Sequence, residues 1–196
     1  MMKSNKLSPN QITNYTKIIL KDRLEILPTF KGEKNEYNND IRIHYPDIIN
    51  LANSYYDLVF VDLDKQVQDD IADDIMESSN LIVANLSQRL TSINAFMELR
   101  EEKTILKSKK TLLLIGRYDK FSKYNIKNIS RYLGEKNKVS TIPYSTLFFE
   151  ACEEAKVPDL FLSLKKTGED DDRNSFFLAE VKRTVDNIIY RLEDLR

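Results

Sequence analysis

Apolar residues recur along this chain in two rhythms, and the switching between them predicts the elements. Ser8-Pro9 followed by Ile12, Tyr15, Ile18 and Ile19, at spacings near three and four, predicts an amino-terminal helix with Ser8 as its cap and Pro9 at its first position. Residues 24–30 read as a strand ended by Pro28, and the Asn-rich polar stretch 31–40 reads as a loop. From residue 41 onward, short β-branched runs alternate with stretches of helical spacing. The runs predict strands at 58–63, 81–86, 111–115, 139–142 and 160–162. Apolar stripes predict the intervening helices: Val67, Ile71 and Ile75; Leu90, Ile93 and Met97; Ile126, Ile129 and Leu133; Leu147, Ala151 and Ala155; Val181, Val185, Ile188 and Leu192. Strands that lack polar alternation and are each followed by a helix imply a parallel sheet buried on both faces. The expected fold class is α/β, a three-layer α/β/α arrangement in one domain over 1–196, with an amino-terminal helix region at 1–23, a core at 24–165 and a carboxyl-terminal helix at 173–196.

Composition narrows the class. With 196 residues, 41% hydrophobic and 31% charged, the chain can bury a core and is not a disordered polyelectrolyte. The lone cysteine excludes a disulfide framework and a Cys-rich zinc site. No apolar run approaches the roughly 20 residues that span a bilayer, and residues 1–6 lack the apolar region of a signal peptide. A cytoplasmic protein without a membrane span is therefore expected.

A net charge of −1 conceals a regional sorting of charge: residues 62–77 hold seven acids and one base, whereas 103–138 hold eleven bases and two acids. Within the basic region, Lys120, Lys123, Lys127 and Arg131 are spaced by three or four and are candidates for one phosphate-neutralising stripe, with Tyr118, Phe121, Tyr124 and Tyr132 interleaved. A solvated face with packed tyrosines is the plainer reading of the same residues. Cys152, among Leu147, Phe148, Ala151 and Ala155, reads as a buried inert thiol, and His44, with no second His, as structural. Asp69, Asp70, Asp73 and Asp74 flank the stripe Val67, Ile71, Ile75 and read as a water-facing surface for a basic partner or a switch.

In an open parallel sheet, ligands bind at the carboxyl ends of the strands. Asp62 ends the run Leu-Val-Phe-Val, where a nucleotide-binding enzyme keeps a carboxylate for magnesium or its water. It can equally cap the following helix, and the residues alone leave both readings open. Four segments in order, Tyr56-Asp-Leu-Val-Phe-Val-Asp62, Ser79-Asn-Leu-Ile-Val-Ala-Asn85, Lys110-Thr-Leu-Leu-Leu-Ile-Gly-Arg-Tyr-Asp119 and Ser140-Thr-Ile-Pro-Tyr144 followed by Glu150-Ala151, resemble the carboxyl-terminal two thirds of a ParA/MinD-type P-loop ATPase, a family that positions plasmids, chromosomes and division machinery. Leu24-Glu-Ile-Leu-Pro28 resembles the strand before that family's magnesium-site helix, so the likeness covers roughly 20 to 165.

The resemblance implies a P-loop-NTPase-like fold, ATP and magnesium as cofactors, Asp62 as the Walker B acid and metal-site residue, and Arg117, Pro143 and Tyr144 on the adenine side. It also implies nonspecific DNA, a homodimer or a partner chain as partners. Gly116 departs from the family's usual Asn, and Leu63-Asp64-Lys65 departs from its usual Pro after the Walker B acid. The larger departure is the phosphate loop. The four glycines, at 32, 116, 134 and 168, are not followed by Gly-Lys-Ser/Thr, so no Walker A motif exists to cradle phosphates and the central P-loop strand is absent. The chain then reads as part of a longer ATPase or as a degenerate relative, unable to hydrolyse ATP alone, or else as a non-enzymatic ParA-like interaction or nucleic-acid module. A missing central strand leaves a row of backbone groups to be satisfied, and direct pairing of 59–61 with 81–86 or 112–114, or cover by another chain, is expected in preference to substitution by residues 1–20.

Overall fold

A computed structural model describes residues 8–28, 45–63, 69–108, 110–135, 139–164 and 172–194. It divides into two compact units, Met1–Ser78 and Ser79–Arg196. His44 and the loop expected at 31–40 lie outside the described residues.

The first unit opens with a short 3-10 helix, Pro9–Asn14, with Ile12 buried and the Ser8 amide donating to the Gln11 side chain (2.7 Å). The expected helix does not continue to Ile19. Lys17–Leu20 is instead strand β1, antiparallel to β2 at Leu24–Ile26, with Asp22 in the left-handed conformation in the turn. The β-branched pair Ile18-Ile19 suits a strand better than a helix, and a turn residue tolerant of positive φ sits at the right distance to fold it back. Helix α1, Tyr45–Asn53, follows, and its sequence carried a missed signal: Pro46 near its start, with Ile48, Ile49 and Ala52 at helical spacing. Beyond it, the Tyr56 hydroxyl donates to the Glu25 carboxylate, to which the Thr16 hydroxyl also donates. Those two bonds hold the Glu25 carboxyl below its ordinary value, while burial first, and the bond to Glu25 second, raise the Tyr56 phenol.

The expected strand at 58–63 is not formed. These residues are in neither helix nor strand, and Leu58, Phe60, Val61 and Leu63 are exposed, Phe60 at 75%. An apolar run becomes a strand only where ladder partners exist, and the described partners of β1 and β2 are each other. Helix α2, Asp69–Ser78, ends the unit with Ile71 and Ile75 buried; Asp70 and Asp74 are exposed.

The second unit is a mixed α/β arrangement around a three-stranded parallel sheet. Strands β3 (Ile82–Ser87), β4 (Thr111–Tyr118) and β5 (Val139–Pro143) lie in that order, linked by α3 (Leu90–Glu102) and α4 (Ile126–Leu133). Central β4 is the most apolar and supplies the core, with Leu112, Leu113 and Ile115 almost fully buried, as expected for a strand paired on both edges. Within the sheet, β4 is flanked by β3 and β5, and among the described strands β3 pairs with β4 alone. Asn125 caps α4 by accepting the Asn128 amide, and Gly134, at φ +68°, ends it.

After β5, the chain forms α5 (Thr146–Glu153), α6 (Val157–Leu164) and α7 (Asp172–Asp194). The expected strand at 160–162 lies inside α6. Val157, Leu160, Phe161 and Leu164 have helical spacing with Pro158 in the first turn, and Phe161 joins Phe148 of α5 and Phe177 of α7 in an aromatic cluster. Cys152, expected to be buried, is exposed, because Ala151 takes the inward position on α5. Helix α7 meets β5 through a polar seam: the Thr141 hydroxyl donates to Glu180, the Asn187 amide to Ser140, and the Thr184 hydroxyl faces the Thr141 carbonyl (3.4 Å). No helix among the described residues is long and apolar enough to cross a membrane.

Candidate functional site

Parallel order brings the carboxyl ends of β3, β4 and β5 to one side of the sheet, and the residues following them make the candidate site. Ser87 is level with Gly116, and Tyr118 with Pro143. Between Ile115 and Tyr118 the β4–β5 register slips, a bulge that contains Gly116 and Arg117. Arg117 sits at φ +51°, a left-handed conformation that costs a non-glycine residue roughly 1–2 kcal/mol. A side chain at Gly116 would come within 3.2 Å of the Asn85 Oδ1 of β3, so the two strand ends meet closely there.

The segment leaving β4 is tied down almost residue by residue. Gln88, just past β3, accepts the Asp119 amide on Oε1 (2.9 Å), and its Nε2 donates to the carbonyls of Asp119 and Tyr124 (both 2.9 Å). The Asp119 carboxylate accepts the Phe121 amide (2.9 Å), the Tyr124 amide donates to the Ser122 hydroxyl, and the Ile126 amide donates to the hydroxyl of buried Tyr118 (3.0 Å). The Asn128 side chain donates to the Lys123 carbonyl (2.8 Å). The polypeptide between β4 and α4 is thus a small braced platform.

The platform carries the basic residues expected on a helix and its approach. Helix α4 begins only at Ile126, so Lys120 and Lys123 project from the loop, while exposed Lys127 and Arg131 share one face of the helix. Arg117 is exposed on the bulge. Among the described residues, none of these five cations is in an ion pair. The Lys120 ammonium instead lies over aromatic rings, 4.6 Å from the Phe176 centroid and 5.2 Å from that of Phe121, and the Lys123 ammonium lies 5.1 Å from the Tyr124 centroid. Tyr132 donates its hydroxyl to Asn94 of α3.

Of the residues that the resemblance placed on an adenine side, Pro143 is buried at the end of β5, whereas Tyr144 and Arg117 are exposed; the Tyr144 amide donates to the Tyr118 carbonyl (3.3 Å). The three gather at the strand ends; one hollow of about 320 Å³ in this unit is bordered by Leu147, Ala151, Leu160 and their neighbours on α5 and α6, and another of about 410 Å³ by Arg100, Lys107, Leu133 and their neighbours. Asp62 belongs to the first unit, is exposed and follows no strand. No group of three or more His, Cys, Asp or Glu suited to a metal occurs among the described residues. Asp62 lies in the first unit and Arg117, Pro143 and Tyr144 in the second, so neither unit by itself holds both the magnesium and the adenine residues that the resemblance implies.

Comparisons with protein-family models, curated proteins and solved structures find no match to this chain.

Proposed function

We propose that this chain is a ParA/MinD-like α/β module that does not hydrolyse ATP by itself and whose working surface, the braced loop after β4 together with α4, holds nucleic-acid phosphates. The observation that carries the reading is that Arg117, Lys120, Lys123, Lys127 and Arg131 stand exposed along one short stretch without acidic partners among the described residues, on a backbone that Gln88 fixes in place. Cations neutralised by carboxylates have little left for a phosphate, whereas pre-positioned ones attract it and release its counterions. The order of the strand-end segments quoted above supports the family part of the reading. The absence of a Gly-Lys-Ser/Thr sequence supports the lack of hydrolysis, since neither amide cradle nor lysine would stabilise a transferring phosphoryl group.

Fluorescence anisotropy with a labelled duplex of about 20 base pairs at low salt tests this. Binding should be measurable and should weaken by about ten-fold or more in a Lys127→Glu/Arg131→Glu variant, since reversal adds repulsion at phosphate distance. Equal affinities of the parent and the variant would refute the assigned surface.

A further inference from the structure

Phe121 is the most exposed large apolar side chain among the described residues, at 87%, and it stands at the tip of the braced loop between Lys120 and Lys123. A single exposed apolar residue needs no explanation. This one is held out by specific means. Its amide is bound by the Asp119 carboxylate, the peptide of Asp119 is bound in both directions by Gln88, and the loop is closed by Gln88 on the Tyr124 carbonyl. Lys120 is itself seated over Phe176, which keeps an ammonium beside the Phe121 ring without burying it. Tyr144, after the adjacent strand β5, is a second exposed aromatic on the same side of the sheet, 55% exposed.

Resting on the reading of this face as a nucleic-acid surface, we infer that Phe121 is a base-stacking residue and that the preferred ligand is single-stranded nucleic acid rather than duplex. Paired bases inside a duplex present only their edges, so an open ring would gain nothing there, whereas an unpaired base offers its face to a ring and its phosphates to Lys120 and Lys123. The charge flanking the ring favours this ligand over an uncharged apolar partner.

The test compares Phe121→Ala and Phe121→Trp with the parent on three labelled ligands of equal length, about 20 nucleotides: a thymidine strand, the same strand with abasic sites, and a duplex. The parent should bind the thymidine strand most tightly. Phe121→Ala should lose about five- to one-hundred-fold on that strand and less than about two-fold on the other two, and Phe121→Trp should retain the affinity. Equal losses on all three ligands, or no loss on any, would overturn the stacking role while leaving the phosphate surface standing. Failure of the parent to bind any of the three would overturn both. Phe121-dependent sedimentation with phosphatidylcholine/phosphatidylserine vesicles, without preference for the thymidine strand, would overturn the inference in favour of a membrane surface.

Discussion

The carboxamide of Gln88 pairs with the peptide of Asp119 in both directions, accepting its amide and donating to its carbonyl, each at 2.9 Å. Gln88 follows β3 and Asp119 follows β4, so the side chain adds one more rung beyond the last backbone pair, Ser87 with Gly116. Its further bond to the Tyr124 carbonyl turns a surface connection into a fixed loop. Lysines on such a loop lose little backbone freedom when they bind, which is the energetic advantage of preorganisation.

Replacing Gln88 by Ala removes three hydrogen bonds, each worth about 0.5–1.5 kcal/mol net, and should destabilise the second unit by about 1.5–4.5 kcal/mol. Gln88→Glu should also destabilise it, because a carboxylate accepts the Asp119 amide but cannot donate to the two carbonyls and sets its negative charge against them. Hydrogen exchange at the Asp119 and Phe121 amides reads this directly: both should exchange faster in either variant. Unchanged exchange would mean that the loop is held by other means.

Arg117 is kept in a left-handed conformation that glycine adopts without steric cost. Arg117→Gly should therefore raise stability by about 0.5–1 kcal/mol in chemical denaturation while weakening nucleic-acid binding, and Arg117→Ala should weaken binding without the gain in stability. A destabilised Arg117→Gly variant would show that the guanidinium makes a stabilising contact that outweighs the strain.

Glu25 gives the first unit a defined response to acid. A carboxyl whose folded-state pKa lies below its unfolded value contributes stability above the unfolded value and loses it as pH falls through the folded one. Because the hydroxyls of Thr16 and Tyr56 lower the Glu25 pKa, the unit should lose stability on acidification below about pH 4. In Glu25→Gln, thermal melts followed across that range should show a flatter acid limb. An identical limb would assign the acid response to other carboxylates.

The purified chain should show no magnesium-dependent ATP turnover, since its sequence carries no phosphate loop. Turnover that Asp62→Ala abolished would contradict this and restore a catalytic role to a residue that no described strand supports.

The sheet of the second unit was legible because β4 is so uniformly apolar that only a strand buried on both faces suits it, and because Ile126, Ile129 and Leu133 leave one inward stripe on α4. The run at 58–63 looked the same by composition, yet strand formation depends on partners that a local pattern does not contain. At Ile18-Ile19, helical spacing and β-branching pointed in opposite directions, and the turn at Asp22 decided for the strand. The basic residues after β4 were visible as charge, and Phe121 as an interleaved aromatic. What holds them in place was not, because Gln88 lies 31 residues before Asp119 and a lone Gln carries no local signature.

The salt dependence of binding tests the central claim most directly. Each cation that neutralises a phosphate contributes about 0.7 to the slope of log K against log salt on a single strand and about 0.9 on a duplex. A Lys120→Ala/Lys123→Ala/Lys127→Ala variant with an unchanged far-ultraviolet spectrum should therefore show a slope shallower than the parent's by about 2 to 3 units. A parent without salt-dependent binding, or a variant with the parent's slope, would contradict the assignment of the surface after β4 to nucleic acid.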